Sequence, residues 1–259
     1  MLVYPDRVFA LISLVVIVGA IIYSIQRARA GKTPYIRRIP GMQALEEAVG
    51  RATEMGRPIH FSPGIAGLTG ETAAQTYAAL EILSYVARLI ARFGSRIIVT
   101  IRTAEVLPVA EEIVRQSFIA EGKVDKYDPN SCQYLSSEQF AYAAGAMGIM
   151  ERQKVASNIM LGAFWAESLM FAETGRHIGA IQIAGTANLH QIQFFVAACD
   201  YTLIGEELYA GGAVASQNPI KLGSIAGQDI GKIIALAMIA IGVITETLGS
   251  HWFSSWMLK

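Results

Sequence analysis

Val8 to Gln26 reads VFALISLVVIVGAIIYSIQ, a run without a charge, and Arg27, Arg29, Lys32, Arg37 and Arg38 follow it with no acid among them. A helix rises about 1.5 Å per residue, so roughly 20 apolar residues cross a hydrocarbon core of about 30 Å. The run therefore predicts a transmembrane helix, and it makes the rest of the chain a domain held at a membrane surface. On the short N-terminal flank Asp6 offsets Arg7. Loops rich in Lys and Arg stay in the cytoplasm, so the N-terminus is expected outside and the domain inside. The rival reading is a cleaved signal peptide, for which Ala28-Arg29-Ala30 offers a small-x-small site. Its n-region has no net positive charge and its apolar run is longer than a usual h-region, so the anchor is preferred.

A second span is expected at the far end. Ile233 to Thr245, IIALAMIAIGVIT, is uncharged but too short alone. It reaches spanning length by passing Glu246 and running through Leu248 to Trp252 and Trp256, a tryptophan pair suited to an interface. Glu246 is read as a glutamate at headgroup level, because a carboxylate at the bilayer centre is costly. A helix lying flat in the interface is disfavoured, since its polar face is poor in Lys and Arg. The expected organisation is an anchor and basic flank over 1–32, a cytoplasmic α/β domain over 33–228, and a second span over 229–259, in a cell membrane with both termini outside.

The chain has 259 residues, no net formal charge and only 16% charged residues. A neutral balance argues against nucleic acid, which asks for a basic stripe. The basic cluster from Arg27 to Arg38 is accounted for by anionic headgroups of the lipid bilayer. Cys132 and Cys199 have no CxxC spacing and read as free thiols in a cytoplasmic domain. Helices apolar on more than one face find extra buried area at subunit contacts, so a homo-oligomer is expected, with a membrane protein as a further partner.

Between the spans the elements alternate. After a linker, Thr33 to Gly41, Met42 to Met55 reads as an amphipathic helix on the outside of the domain. Strands are read at Pro58–Ser62, Arg96–Ile101, Gln133–Leu135, Asn158–Leu161, Ala180–Ala184 and Tyr201–Ile204. Helices are read at Glu71–Phe93, Val106–Glu121, Ser137–Arg152 with Ser136 or Ser137 as cap, Trp165–Thr174, Asn188–Ala198 and Glu206–Ala215. Gly122 to Ser131 is a polar insertion and Pro219 to Gln228 a return linker. This alternation predicts βαβ units: an α/β domain with a mostly parallel, Rossmann-like sheet, helices on both faces, and N- and C-terminal transmembrane helices. The strands read as continuous apolar runs, as expected when both faces are covered.

In open α/β sheets ligands bind beyond the carboxyl ends of the strands, which yields a candidate list without a motif. Ser62, Gly64, Gly67 and Gly70 follow the first strand, Arg102 the second, Glu167 the fourth, Thr186 and Asn188 the fifth, and Glu206 the sixth. The GxxGxxG spacing matches neither GxGxxG nor the P-loop, although exposed amides there could still hold a small anionic, nucleotide-like ligand. Arg102 would be its counter-charge, and Glu167 or Glu206 an acid or base. Against this, glycines serve turns, and a glutamate in a helix's first turn is stabilised by the macrodipole, by about 0.3 to 1 kcal/mol. An inward-facing Glu167 needs a partner, with Arg102 or His190 as the expected one. His60, His177, His190 and His251 lack metal-ligand spacing and read as structural. Ser62 lacks GxSxG, so a hydrolase elbow is unsupported. Phe140, Tyr142, Phe194 and Phe195 read as core or subunit contact. No cofactor and no catalytic residue is assignable.

The runs RRIPGMQALEEAVGRATEMGRPIHFSPG, EQFAYAAGAMG, FWAESLMFAETG, IGAIQIAGTA, FFVAACDYTLIGEELYA and GQDIGK resemble a family of prokaryotic membrane proteins known as a domain of unknown function. The resemblance extends from Arg37 to Lys232. It implies a membrane-attached domain between hydrophobic ends, and no activity. The leading expectation is a non-catalytic, self-associating scaffold or accessory protein; the alternative is a membrane-bound enzyme or sensor for a small anion.

Overall fold

A computed structural model describes residues 8–257; Asp6 and Arg7, whose charges offset each other on the N-terminal flank, lie outside the described residues. In chain order the elements are α1 (Val8–Arg29), α2 (Pro40–Met55), β1 (Ile59–Gly64), α3 (Ala73–Phe93), β2 (Ile97–Ile101), α4 (Leu107–Ala120) and β3 (Cys132–Tyr134). Then come α5 (Gln139–Gln153), β4 (Ser157–Ala163), α6 (Glu167–His177), β5 (Ile181–Thr186), α7 (Leu189–Ala198), β6 (Tyr201–Ile204), α8 (Glu207–Ser216), α9 (Pro219–Thr247) and α10 (Trp252–Met257). They divide into two compact units, residues 37–216 and the two chain ends, 1–36 with 217–259.

In the first unit the six strands form one sheet in the order β3-β2-β1-β4-β5-β6, every pair parallel. Helices cover both faces. On one, α2, α3, α4 and α8 pack over Ile59, Phe61, Val99, Ile101, Ile159, Leu161, Ile183 and Leu203. The α2 residues Leu45, Ala48, Val49 and Ala52 are wholly buried there, so this helix is a structural layer with one solvated side. On the other, α5, α6 and α7 contribute Tyr142, Ala146, Met150, Phe171 and Phe195. The strands alternate more than expected: their second-face positions include His60, Ser62, Thr100, Asn158 and Gln182, all buried. Ser136 and Ser137 do not cap α5, whose N-cap is Glu138 with no side-chain bond.

The second unit is a helix hairpin. Both α1 and α9 are long and apolar enough to cross a membrane. The residues 219–228, expected to be a linker, are the first turns of α9; Pro219 opens it and Asn218 caps it by accepting a hydrogen bond from the Ile220 amide at 2.9 Å. Spanning length is thus gained at the N-terminal side, and the two tryptophans sit in the separate α10. Gly223, Gly227 and Gly231 place one stripe of α9 against α1. A Cβ on Gly227 would lie 2.6 Å from the Ile21 Cα, and one on Gly223 2.7 Å from the Ile25 Cα. Gly231 faces Ile17, so the helices run antiparallel with their backbones touching, the arrangement small residues allow in membranes. After Gly249, at φ 75°, α10 turns back. Its Phe253 lies over Gly242 and its Trp256 meets Phe9 edge-on at 4.8 Å. Glu246 accepts hydrogen bonds from His251 and Ser254. On the outer side of α9, Asp229 and Lys232 pair at 3.0 Å.

Candidate functional site

Parallel register places His60, Asn158 and Gln182 side by side on β1, β4 and β5. Their side chains join into a chain across the sheet. The Asn158 Nδ2 lies 3.3 Å from Gln182 Oε1 and 3.4 Å from the Phe171 carbonyl, so its Oδ1 is left to accept from His60 Nδ1 at 2.8 Å. That fixes the tautomer: His60 Nε2 carries no proton and accepts from Thr100 Oγ1 at 2.8 Å. Ser62 Oγ and the Tyr142 hydroxyl continue the network at 2.8 Å, and Gln182 Nε2 ends it on the Ala172 carbonyl at 2.9 Å. Burial lowers the His60 pKa to about 4, only partly offset by its bond to Asn158. It also pushes the Tyr142 phenol up to about 12. Satisfied and neutral, this network orders the core, and His60 takes the structural role expected of it.

Beyond the strand ends, the crevice between β1 and β4 is the switch point in strand order, where such sheets bind ligands. Here it is drawn shut. Gly64, at φ 86°, and Gly162, at φ 131°, let the two backbones close so tightly that a Cβ on Gly64 would meet the Ala163 carbonyl oxygen at 2.4 Å. The Ile65 amide then donates to that same carbonyl at 2.9 Å. In the following loop Leu68 donates its amide to Glu105 Oε1 at 2.6 Å, and the same oxygen occupies the space a side chain on Gly67 would need. A protein carboxylate therefore sits where an external anion would. Gly70, at φ 90° with open space around it, serves the turn into α3.

The other expected residues fall into separate clusters. Arg102 Nη1 and Thr103 Oγ1 both donate to the Ile65 carbonyl at 3.1 Å, while Arg102 Nε is buried and finds no partner among the described residues. Thr186 and Asn188 are tied by Gln75: its Oε1 accepts from Thr186 Oγ1 at 3.1 Å and from the Ala187 amide at 2.9 Å, and its Nε2 donates to Asn188 Oδ1 at 2.8 Å. Glu167 is wholly buried, but its partners are neither Arg102 nor His190, which is exposed. They are the Trp165 amide at 2.8 Å and the Gln139 side chain, a helix-start carboxylate satisfied in place. Glu206 is exposed beyond the edge strand β6, and Glu207 accepts from the Ile204 amide at 3.1 Å and pairs with Arg37.

Gln75, Glu105 and Gln139 also organise this end of the sheet and were not read from sequence, whereas Thr103 follows the second strand beside Arg102 and Tyr142 takes the core place expected of it. Only Glu105, an acid in a 3-10 turn just after a strand end, carried a local signal. Cys132 and Cys199 are unpaired and burial pushes both thiols up to about 12, so neither supplies thiolate near neutral pH. Among the described residues no three His, Cys, Asp or Glu side chains gather as a metal set.

The chain matches, over residues 2–257, the family described as domain of unknown function DUF6754, and it belongs to that family. No curated protein and no solved structure matches it.

Proposed function

We propose that this is a membrane-anchored assembly protein: α1 and α9 cross a cell membrane, and the α/β unit self-associates at the cytoplasmic face as a scaffold or accessory subunit, without catalysis. The observation that carries this reading is apolar surface on the helices of the second face. Phe140 of α5, Leu169 of α6, and Leu189, Phe194 and Val196 of α7 are exposed, Leu189 at 75% and Phe140 at 63%, and Ile204 is exposed on the edge strand β6. Those elements are neighbours, and an apolar patch of this kind marks an interaction surface. The positive flank from Arg27 to Arg38 supports the cytoplasmic side for the α/β unit.

Four partly or wholly buried groups capable of acid, base or nucleophile work support the non-catalytic part, because burial moves each away from neutrality: His60 down, Tyr142 and both cysteines up. Native mass spectrometry of the full chain released in detergent tests the reading. A discrete oligomer is expected, with no added mass that depends on Arg102. A monomer over a wide concentration range would overturn it.

One observation favours a second reading, an anion site at the strand ends: the buried, unpartnered Nε of Arg102. Ligand binding there would need Glu105 to leave the Leu68 amide, opening the loop of Gly64, Gly67 and Gly70. A defined extra mass per subunit in the same spectrum, lost in Arg102→Ala, would establish it in place of the scaffold reading.

A further inference from the structure

The hairpin unit contains a cavity of about 410 Å³ at the basic end of α1, lined by Tyr23 and Arg27 of α1, Lys32 and Tyr35 of the segment after it, and Ala226 and Ile230 of α9. The segment folds back because Gly31 takes φ 85°, with the Lys32 amide donating to the Arg27 carbonyl at 3.2 Å. Two cations are thereby brought to one hollow. Neither Arg27 nor Lys32 has an acidic partner among the described residues. The antiparallel pairing sets the positive start of α9 beside the negative end of α1, so the helix dipoles offset each other and the side chains decide the sign of the field. The floor is different in kind: Ala226 and Ile230 are apolar, and the exposed rings of Tyr23 and Tyr35 present an apolar body with a hydroxyl tip, as side chains at a membrane interface do.

We infer that this cavity is a binding site for an anionic phospholipid, its phosphate between Arg27 and Lys32 and its first acyl carbons along Ala226 and Ile230. A soluble phosphate would use the cations and leave the apolar floor wet; a choline or ethanolamine lipid would bring its own cation against Arg27 and Lys32. The chemistry of the lining selects a phosphodiester whose headgroup carries no positive charge. Basic pockets between membrane helices bind such headgroups, and each cation near the surface contributes on the order of a fivefold preference.

The test uses the full chain in micelles containing equal phosphatidylglycerol and phosphatidylcholine, with retained lipid read by native mass spectrometry. One phosphatidylglycerol per chain is expected, in preference to phosphatidylcholine. Arg27→Gln with Lys32→Gln should lower that preference roughly tenfold or more, while Arg29→Gln with Arg38→Gln, cations outside the cavity, should leave it near the wild-type value. Ala226→Leu, which fills the floor without changing charge, should remove the bound lipid while the helix content by circular dichroism stays the same. Equal retention of the two lipids would overturn the site. So would an equal loss in both double variants, which would mean surface charge alone, or displacement of the lipid by millimolar inorganic phosphate, which would mean a soluble anion.

Discussion

The two units of this chain are packed by opposite rules. In the α/β unit the side chains do the filling: Leu45, Leu83, Phe61 and Ile159 have no exposed surface, and burial of apolar area, at about 25 cal/mol per Å², drives the sheet and helices together. In the hairpin the side chains stay outside. Val15, Leu236 and Ile239 are all more than 60% exposed, and the contact is made by Gly223 and Gly227 against the backbone of α1, with Gly231 against the Ile17 side chain. Where acyl chains surround a helix, a leucine gains little by leaving them, so close backbone approach has to supply the association. The same residue types thus carry opposite instructions, and the surrounding solvent decides between them.

The hardest blow to that contrast would come from Gly227→Ile. Its Cβ would lie 2.6 Å from the Ile21 Cα, and no rotamer moves a Cβ, so the hairpin should lose about 3 kcal/mol or more. Cysteine cross-linking between α1 and α9 in bilayers should fail while the α/β unit melts as before; a surviving cross-link would show that glycines are not what joins the helices. Next in size is Asn158→Leu, which strands the His60 Nδ1 proton and a Gln182 oxygen in the core. Each orphaned group costs about 1 to 3 kcal/mol, so the urea midpoint of the α/β unit should fall steeply and the hairpin should not respond.

Acid should produce a smaller effect confined to the same unit. The His60 pKa is about 4 folded, against 6.5 for an unperturbed imidazole. Between those values the unfolded chain holds the extra proton, so this contribution is complete above about pH 6.5 and is lost as pH falls toward about 4. From about pH 7.5 to 5.0 the loss should be about 2 kcal/mol in denaturant titrations, and His60→Gln should flatten that dependence. Smallest in stability, within about 0.5 kcal/mol, is Leu169→Ser with Phe194→Ser. Both residues are exposed, so the melting curve should hardly move while sedimentation shifts toward smaller species. An unshifted oligomer would leave the hairpin as the contact.

Much of this architecture is written in local sequence. The uncharged run of α1 and the six short strands separated by helices are set by length and period, so a helix of spanning length, the strands and the parallel topology are legible residue by residue. The start of α9 was not, because Lys221, Gln228, Asp229 and Lys232 dilute its apolar character. Yet the spacing of Gly223, Gly227 and Gly231 within that stretch is the signal of a helix contact, and part of it falls in the GQDIGK run. The strand-end loops show the other limit. Their glycines were visible, but what fills the loop is Glu105, what holds Glu167 is Gln139 from another helix, and what ties Thr186 to Asn188 is Gln75, more than a hundred positions earlier. The polar chain through His60 becomes readable only once β4 is known to lie between β1 and β5. Each of these depends on which strands are neighbours, and no local window contains that.

The glycine contact between α1 and α9 also changes what a protease can achieve. Residues 37–216 leave and re-enter the same helix pair, so they form a loop with both feet held. One cut anywhere in that loop leaves each fragment on its own helix of the pair, and the helices still hold each other. Shedding the α/β unit takes two cuts, one at each foot, so a single nick changes the length of the fragments but not their address.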